Sequence, residues 1–184
     1  MTGIIVLIVV VIVGAALVAM YNGLVRLRVQ ADNAWSDIDV QLKRRHDLIP
    51  NVVETVKGYA AHEKGTLEAV VEARSKAVSV TSAGPAERGA AEGQLTTALR
   101  GLFALAENYP QLRAVESFTQ LQTTLSQIED AVQSARRYYN AVVRDLNTKI
   151  QTFPSNIVAG MFGFKPREFF QAQEEERAVP QVKF

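Results

Sequence analysis

The stretch GIIVLIVVVIVGAALVAMY, residues 3–21, decides the fold of everything that follows it, and it contains neither a charged residue nor a proline. As a helix rising about 1.5 Å per residue, this stretch nearly matches a hydrocarbon core of about 30 Å. A backbone inside lipid must satisfy its own hydrogen bonds, so we predict a transmembrane helix despite the many β-branched residues. The predicted membrane anchor comprises residues 1–23, with Ile4, Leu7, Val11, Gly14, Leu17, Met20 and Tyr21 as its representative positions.

Two other interpretations of this stretch are weaker. A cleavable signal peptide would need a basic start, a shorter apolar centre and a small-residue cleavage site. Cutting near Gly14 would leave apolar residues of the same run on the new N-terminus. A buried core helix would need apolar partners on every side, and no other segment is comparably apolar. We therefore expect an uncleaved anchor.

The distribution of cations predicts the orientation of the anchor. Arg26 and Arg28 follow the apolar run closely, and further basic residues come at positions 43–45. Cytoplasmic flanks carry an excess of lysine and arginine, so the body should face the cytoplasm and the N-terminus should lie outside. We expect a single-pass protein of the cell (inner) membrane in contact with membrane lipid.

Composition narrows the classes of function. The chain has 184 residues, a net charge of +1 and no cysteine. Without cysteine it has no disulfide, thiolate metal site, cysteine nucleophile or lipid-modified cysteine. The charges are spread along the body without a basic block, so we expect no nucleic-acid partner.

The rest of the chain carries helical periodicity. Apolar residues recur at three- and four-residue steps from Leu24 to Val78, which predicts one very long helix with a heptad-like seam. Pro50 should kink this helix, or the helix should restart there with Asp47 as its N-cap. A second helix is expected from about residue 85 to 108, and a last one of about forty residues from residue 110 to Phe153-Pro154.

No segment alternates with the period of a strand, so the predicted fold is all-α. Residues 24–153 should form an antiparallel four-helix bundle with long, coiled-coil-like helices behind the single anchor. The first long helix could supply one or two of the four positions, and the sequence leaves both open.

An aromatic segment, residues 154–170, follows the bundle. It is too short to cross a bilayer, so it either lies at the membrane interface or caps the bundle. Its key residues are Met161, Phe162, Phe164, Phe169 and Phe170, together with Phe153, which directly precedes the segment. Residues 171–184 are polar, and we expect them to form a flexible tail.

One polar cluster interrupts the apolar seam. Arg45 and His46 occupy positions where the seam would continue, because apolar residues flank them at helical spacing on both sides. If the helices are antiparallel, a second polar cluster in the last helix can face Arg45 and His46, and the two clusters can form a network of charge-assisted hydrogen bonds. The preferred pair in this network is Asp47 with Arg136 or Arg137. The alternative is that the long basic side chains extend to solvent. The predicted network comprises Arg45, His46, Asp47, Pro50, Asn51, Arg136, Arg137, Tyr139 and Asn140.

We find no catalytic arrangement in the sequence. His46 and His62, the two histidines, would lie about 24 Å apart on one helix and cannot share a metal. There is no G-x-S-x-G nucleophile motif and no glycine-rich phosphate loop. We therefore expect no cofactor, no metal and no enzymatic activity.

Several of these motifs together resemble the LemA family. They are an N-terminal anchor and then, in order, Trp35, RRHDLIPN at 44–51, AENYP at 106–110, RRYYN at 136–140 and FPSN at 153–156. Tyr138 departs from the phenylalanine that the family pattern suggests. The resemblance implies a four-helix bundle behind one membrane helix, no established enzymatic activity, and partners among membrane proteins such as metalloproteases.

The function expected from these features is that of a membrane-anchored scaffold or interaction protein that self-assembles into a homo-oligomer. Long apolar seams and small residues in the anchor favour assembly. The alternative is a membrane-remodelling or stress-sensing module that inserts the aromatic segment at the bilayer interface.

Overall fold

The structure, a computed structural model, describes residues 1–170, so the predicted flexible tail at 171–184 lies outside the described residues. Within residues 1–170 every regular element is helical, which confirms the all-α prediction. The antiparallel four-helix arrangement stays a prediction. The helices are α1 (Thr2–Lys57), α2 (Lys64–Ser79), α3 (Pro85–Ala106), α4 (Pro110–Arg113), α5 (Glu116–Gln151) and α6 (Ser155–Met161).

Helix α1 begins with the apolar stretch and continues through Asn22 and Gly23 without interruption. It is the one helix among residues 1–170 that is long and apolar enough to cross a membrane, judged by length and composition. Side chains at the start of this helix are exposed, with Ile4 at 65% and Val11 at 62%. No other part of the described chain covers them, as a lipid-facing segment requires.

The predicted helix over residues 24–78 is divided, but the division is not at Pro50. Pro50 lies inside α1, which ends at Lys57, and α2 begins at Lys64. After Lys57 the N–H groups of Tyr59 and Ala60 both donate to the carbonyl of Val56, so the regular ladder ends there. The prediction of one helix from Leu24 to Val78 is therefore wrong, and a tight turn at residues 58–63 separates two helices.

The last predicted helix is also divided. Four residues, Pro110–Arg113, form the short helix α4, and α5 starts at Glu116. The N–H of Ala114 donates to the carbonyl of Pro110 and that of Val115 to the carbonyl of Leu112, which closes α4 as a separate turn. Helix α5 then ends at Gln151, close to the predicted end at Phe153-Pro154.

The described chain folds as two compact units, each with its own core. The first comprises Met1–Asp37 and Arg137–Glu168. Leu24 of α1, Leu146 of α5, and Val158 and Ala159 of α6 form its buried cluster, and Tyr21, Leu27, Ile150 and Phe164 pack around them.

The second unit comprises residues 38–136 with Phe169 and Phe170. Its core draws on five helices and is centred on fully buried Ile49, Val70, Leu95, Leu102 and Phe118. Helices α2 and α3 pack directly on each other across the loop at residues 80–84. The residues of the predicted seam in α1 and α2 are buried or partly buried, so the three- and four-residue spacing identified the core face correctly.

Candidate functional site

The guanidinium of Arg45 is buried in the second unit, with 3% of the residue exposed. Nη1 lies 3.3 Å from Oε2 of Glu92, and Nη2 lies 3.0 Å from Oε2 of Glu129. Nη2 also donates to the hydroxyl of Thr96 at 2.6 Å. An unpaired buried charge would be very costly, so two carboxylates and one hydroxyl hold this cation in the interior.

His46, the next residue, uses the same acid. Its Nε2 donates to Oε1 of Glu92 at 2.7 Å, and both residues are buried. Glu92 therefore receives Arg45 on one oxygen and His46 on the other, and this pair of contacts ties α1 to α3. We call Arg45, His46, Glu92, Thr96 and Glu129 the Arg45 cluster.

The main chain of His46 has a separate partner. Pro50 has no N–H, so the helical hydrogen bond that would end on the carbonyl of His46 is missing. Nε of Arg74, on α2, donates to this carbonyl oxygen at 2.7 Å. A side chain of the neighbouring helix thus replaces the bond that proline removes, and α1 can continue through Pro50.

A second buried cation lies one helical turn before Glu92 on α3. Arg88 is 4% exposed, and its Nη1 donates to Oδ1 of Asp39 on α1. Arg88 and Glu92 continue the row formed by Leu95, Leu99 and Leu102 at three- and four-residue steps. The seam of α3 is thus apolar at one end and ionic at the other.

The expected pairing of Asp47 with Arg136 or Arg137 is wrong. Asp47 points to solvent and receives a hydrogen bond at 2.6 Å from Lys43, one turn earlier in α1. The Lys43 ammonium lowers the pKa of the Asp47 carboxyl, with smaller contributions from Arg74 and His46. Pro50 and Asn51 are also exposed. In this part of α1 the buried ionic contacts are therefore made by Arg45 and His46, and not by Asp47.

The second polar cluster predicted from the sequence, in the last helix, has residues in both units. Arg136 lines a cavity of about 110 Å³ together with Arg45, Glu92, Arg100 and Glu129. Tyr139, Arg137 and Asn140 belong to the first unit.

Tyr139 packs on Trp35 with ring centroids 5.3 Å apart and donates to the carbonyl of Glu168 at 3.0 Å. Burial raises the pKa of its hydroxyl, and Arg167 offsets part of this effect. Tyr139 thus stabilises the first unit, and its membership of a polar network with Arg45 and His46 stays a prediction.

The aromatic segment divides into packed and exposed side chains. Phe162 and Phe164 lie 4.7 and 6.0 Å, between ring centroids, from Tyr21 at the end of the apolar run. Phe164 is partly buried on the core of the first unit. Phe170 is buried in the second unit, at 3% exposed. Phe153, Met161, Phe162 and Phe169 remain exposed, at 76%, 71%, 59% and 40%. The segment thus contains both packed and exposed side chains, and its role as a cap or at the membrane interface stays a prediction.

The chemistry available to the Arg45 cluster is ion pairing. Each of its charged groups contacts an oppositely charged one or a hydroxyl, at distances from 2.6 to 3.3 Å. Among residues 1–170 there is no group of three or more His, Asp or Glu side chains placed to hold a metal.

Sequence reasoning missed Glu92, Thr96, Glu129 and Arg74. A signal for Glu92 and Arg88 was present, because both charged residues occupy the leucine row of α3 at helical spacing. Arg74 gave no such signal. Its role depends on the turn at residues 58–63, which brings α2 back against α1. The regular apolar spacing continues through this turn, so the spacing does not reveal it.

Comparison with known proteins agrees with the motifs. The LemA family matches residues 34–184. Protein LemA of Metamycoplasma hominis is 32% identical over 158 residues, covering 85% of this chain and 71% of that protein. Magnetosome protein MamQ 2 of Paramagnetospirillum magneticum is 27% identical over 181 residues, covering 85% of this chain. Magnetosome protein MamQ of Magnetospirillum gryphiswaldense is also 27% identical.

The chain spans 66% and 65% of the length of these two MamQ proteins. The family match covers most of the chain and includes every motif from Trp35 onward, which confirms the resemblance drawn from the sequence. The chain belongs to the LemA family.

Proposed function

We propose that the chain is a membrane-anchored helical scaffold that self-assembles and has no catalytic activity of its own. In this proposal α1 spans the cell (inner) membrane once, with the N-terminus outside and the four-helix, antiparallel body in the cytoplasm. Arg26 and Arg28, which follow the apolar run, support this orientation. A C-terminal reporter that works only in the cytoplasm should be active, and activity of a reporter restricted to the outside would reject the orientation.

An apolar groove in the second unit carries the assembly proposal. It has a volume of about 640 Å³ and lies where α1 ends and α2 begins. Val53, Leu67 and Val71 form its apolar part, and Val71 is 52% exposed. Exposed apolar surface rimmed by charge is typical of protein contact sites. Lys57, Lys64, Glu68 and Glu72 supply the charged rim.

The charges of the rim favour a second copy of this chain as the occupant. Lys64, Glu68 and Glu72 follow one another at four-residue steps along one face of α2. A two-fold contact that packs α2 against α2 of the other copy in opposite directions can bring Lys64 of each copy to Glu72 of its partner. The same contact covers Val71 on both copies, so apolar burial and charge pairing agree.

A charge-reversal series tests this contact. Lys64→Glu should place like charges together and weaken self-association at least about tenfold. The double change Lys64→Glu with Glu72→Lys should restore association. Lys76→Glu is the matched control, because Lys76 lies exposed on the same helix and does not line the groove. The measurement is cross-linking in membranes together with particle mass in detergent.

Two outcomes would reject the self-assembly proposal. One is a particle of monomer mass with no cross-linked partner for the unchanged chain. The other is equal weakening by Lys64→Glu and Lys76→Glu, which would show that net charge, and not the groove, controls association. A monomer that binds one membrane metalloprotease, the partner class implied by the family resemblance, would replace self-assembly with one-to-one binding.

A second candidate function is a membrane-remodelling or stress-sensing module that places the aromatic segment in the bilayer interface. The contact between Tyr21 and Phe162 favours it, because it holds exposed Met161 and Phe162 at the end of the apolar run. The chain has no cysteine, so Met161→Cys creates a unique attachment point for a spin label. In proteoliposomes this label should be accessible to lipid-dissolved oxygen, whereas a label at the exposed turn residue Ala61 should not. Equal accessibility to aqueous reagents at both positions would reject this function.

A further inference from the structure

A cationic cavity lies in the first unit, beside the aromatic segment. Its volume is about 280 Å³, and its lining is Arg28, Leu146, Gly163, Phe164, Lys165, Pro166 and Arg167. Three of these residues are cations and none is an acid. Arg167 is neutralised by Asp32, whose Oδ1 lies 2.6 Å from its Nη2. Arg28 and Lys165 therefore leave an excess of positive charge around the cavity.

The cavity is held in place by specific contacts. The amide of Asn147 donates to the carbonyl of Arg167 at 2.9 Å, and its oxygen accepts from the N–H of Arg167 at 2.8 Å. Gly163 takes a left-handed conformation, with φ +68°, which turns the chain away from α6. The guanidinium of Arg28 stacks over the ring of Phe164, 5.3 Å from its centroid. These contacts fix the positions of Arg28 and Arg167 in the lining of the cavity.

The position of the cavity along α1 corresponds to the headgroup layer of a bilayer. The apolar run from Ile4 to Met20 has its centre at Ile12, and Arg28 follows sixteen residues later, about 24 Å along the helix axis. Half of a bilayer with its headgroups measures about 20–22 Å, and an ordinary helix tilt of about 20° lowers Arg28 to that level. The ammonium of Lys149 adds a further cation in this layer, because it lies against Gly23.

We propose that this cavity binds the phosphate group of an anionic phospholipid from the bilayer that α1 enters. Arg28 and Lys165 contact the phosphate. The exposed apolar side chains of α6 and its C-terminal end, Ile157, Met161 and Phe162, at 53%, 71% and 59% exposed, would lie against the acyl chains. Continuity with the apolar run favours lipid over a soluble anion, because Phe162 and Phe164 both contact Tyr21. This inference rests on the proposed membrane span of α1.

Lipid titration of the full-length protein in an uncharged detergent tests the site, with native mass spectrometry counting retained lipids. We expect phosphatidylglycerol to be retained several-fold better than phosphatidylcholine with the same acyl chains. Lys165→Gln and Arg28→Gln should each weaken this retention about fivefold, whereas Lys165→Arg should preserve it. Arg26→Gln is the control, since Arg26 is an exposed cation of α1 that does not line the cavity. Circular dichroism checks that each variant is folded.

Equal retention of the two lipids would overturn the site, as would equal losses in Arg26→Gln and Lys165→Gln. Displacement of the lipid by inorganic phosphate alone would assign the cavity to a soluble anion and would also overturn it. Alkaline carbonate extraction of membranes tests the underlying span separately. Release of the unchanged chain would reject the span, whereas retention of Lys165→Gln in the membrane with lost lipid selectivity supports the site.

Discussion

Nε of Arg74 lies 2.7 Å from the main-chain oxygen of His46 and donates a hydrogen bond to it. Pro50, four residues after His46, removes the N–H that this oxygen would otherwise accept within α1. A proline within a helix normally leaves such a carbonyl without its helical partner. Here α2 supplies the missing donor, so the proline and the packing of α2 on α1 depend on each other.

This relationship predicts coupling between the two positions. Arg74→Met should keep the aliphatic packing but lose a hydrogen bond to a charged donor, lowering the free energy of unfolding by about 1.5–3 kcal/mol. In a Pro50→Ala background the restored N–H satisfies His46, so the same change should cost about 1 kcal/mol less. Chemical unfolding of the four variants in mild detergent measures the coupling. Equal costs in both backgrounds would show that Arg74 acts elsewhere.

Glu92 should be far more important for stability than Asp47, although the sequence drew attention to Asp47. Glu92→Ala removes the shared acid of Arg45 and His46 and leaves a buried cation with one carboxylate fewer, which should cost about 3–5 kcal/mol. Asp47→Ala removes an exposed contact with Lys43 and should leave the melting temperature nearly unchanged. Thermal unfolding followed by circular dichroism compares the two. A larger loss of melting temperature in Asp47→Ala than in Glu92→Ala would contradict this prediction and favour the network around Asp47 expected from the sequence.

The sequence predicted the helices and their core faces because burial repeats with the helical period. Ile49, Val52, Val56 and Ala60 were all assigned to the seam, and all are buried. The same regularity concealed the turn at residues 58–63, since Ala60 stays buried there and Gly58 gives only a weak break signal. A pattern that records burial continues through a turn when the turn residues also face the core.

The partners of the buried charges were harder to predict than the charges themselves. Arg45 and His46 could be recognised because each occupies a seam position, but their acid belongs to α3, about forty-six residues away. Identifying Glu92 as their partner requires the relative rotation of two helices, which local periodicity does not determine. The sequence instead favours pairing Asp47 with Arg136 or Arg137. Adjacent residues on a helix point in different directions, however, and Asp47 is exposed where His46 is buried.

The hydroxyl of Thr96 offers a test of the Arg45 cluster with almost no change in shape. Thr96→Val removes the 2.6 Å hydrogen bond from Arg45 and should destabilise the chain by about 1.5–3 kcal/mol. Thr97→Val is the matched control, because Thr97 is exposed and its hydroxyl donates only to the carbonyl of Gly93 in the same helix. Urea unfolding of both variants provides the comparison. Similar values would mean that Arg45 is held by its carboxylates alone.

Tyr139 predicts a dependence of stability on alkaline pH. Burial raises the pKa of its hydroxyl, so the folded chain keeps this proton to a higher pH than the unfolded chain, whose tyrosine pKa is about 10. The stabilisation is therefore complete below about pH 10 and is lost as pH rises through the raised pKa. At neutral pH, Tyr139→Phe should cost about 1 kcal/mol, because the hydrogen bond to the carbonyl of Glu168 is lost.

The difference between the unchanged chain and Tyr139→Phe should then stay constant from about pH 8 to 9 and shrink as pH rises above about 10. Fluorescence of Trp35, the one tryptophan of the chain, reports the unfolding because its ring packs 5.3 Å from that of Tyr139. Tyr138→Phe serves as the control, since Tyr138 is 53% exposed in the same helix and its removal should leave the alkaline slope unchanged. A constant difference between the unchanged chain and Tyr139→Phe across this range would mean that the hydroxyl titrates alike in both states, so that burial of Tyr139 does not hold its proton.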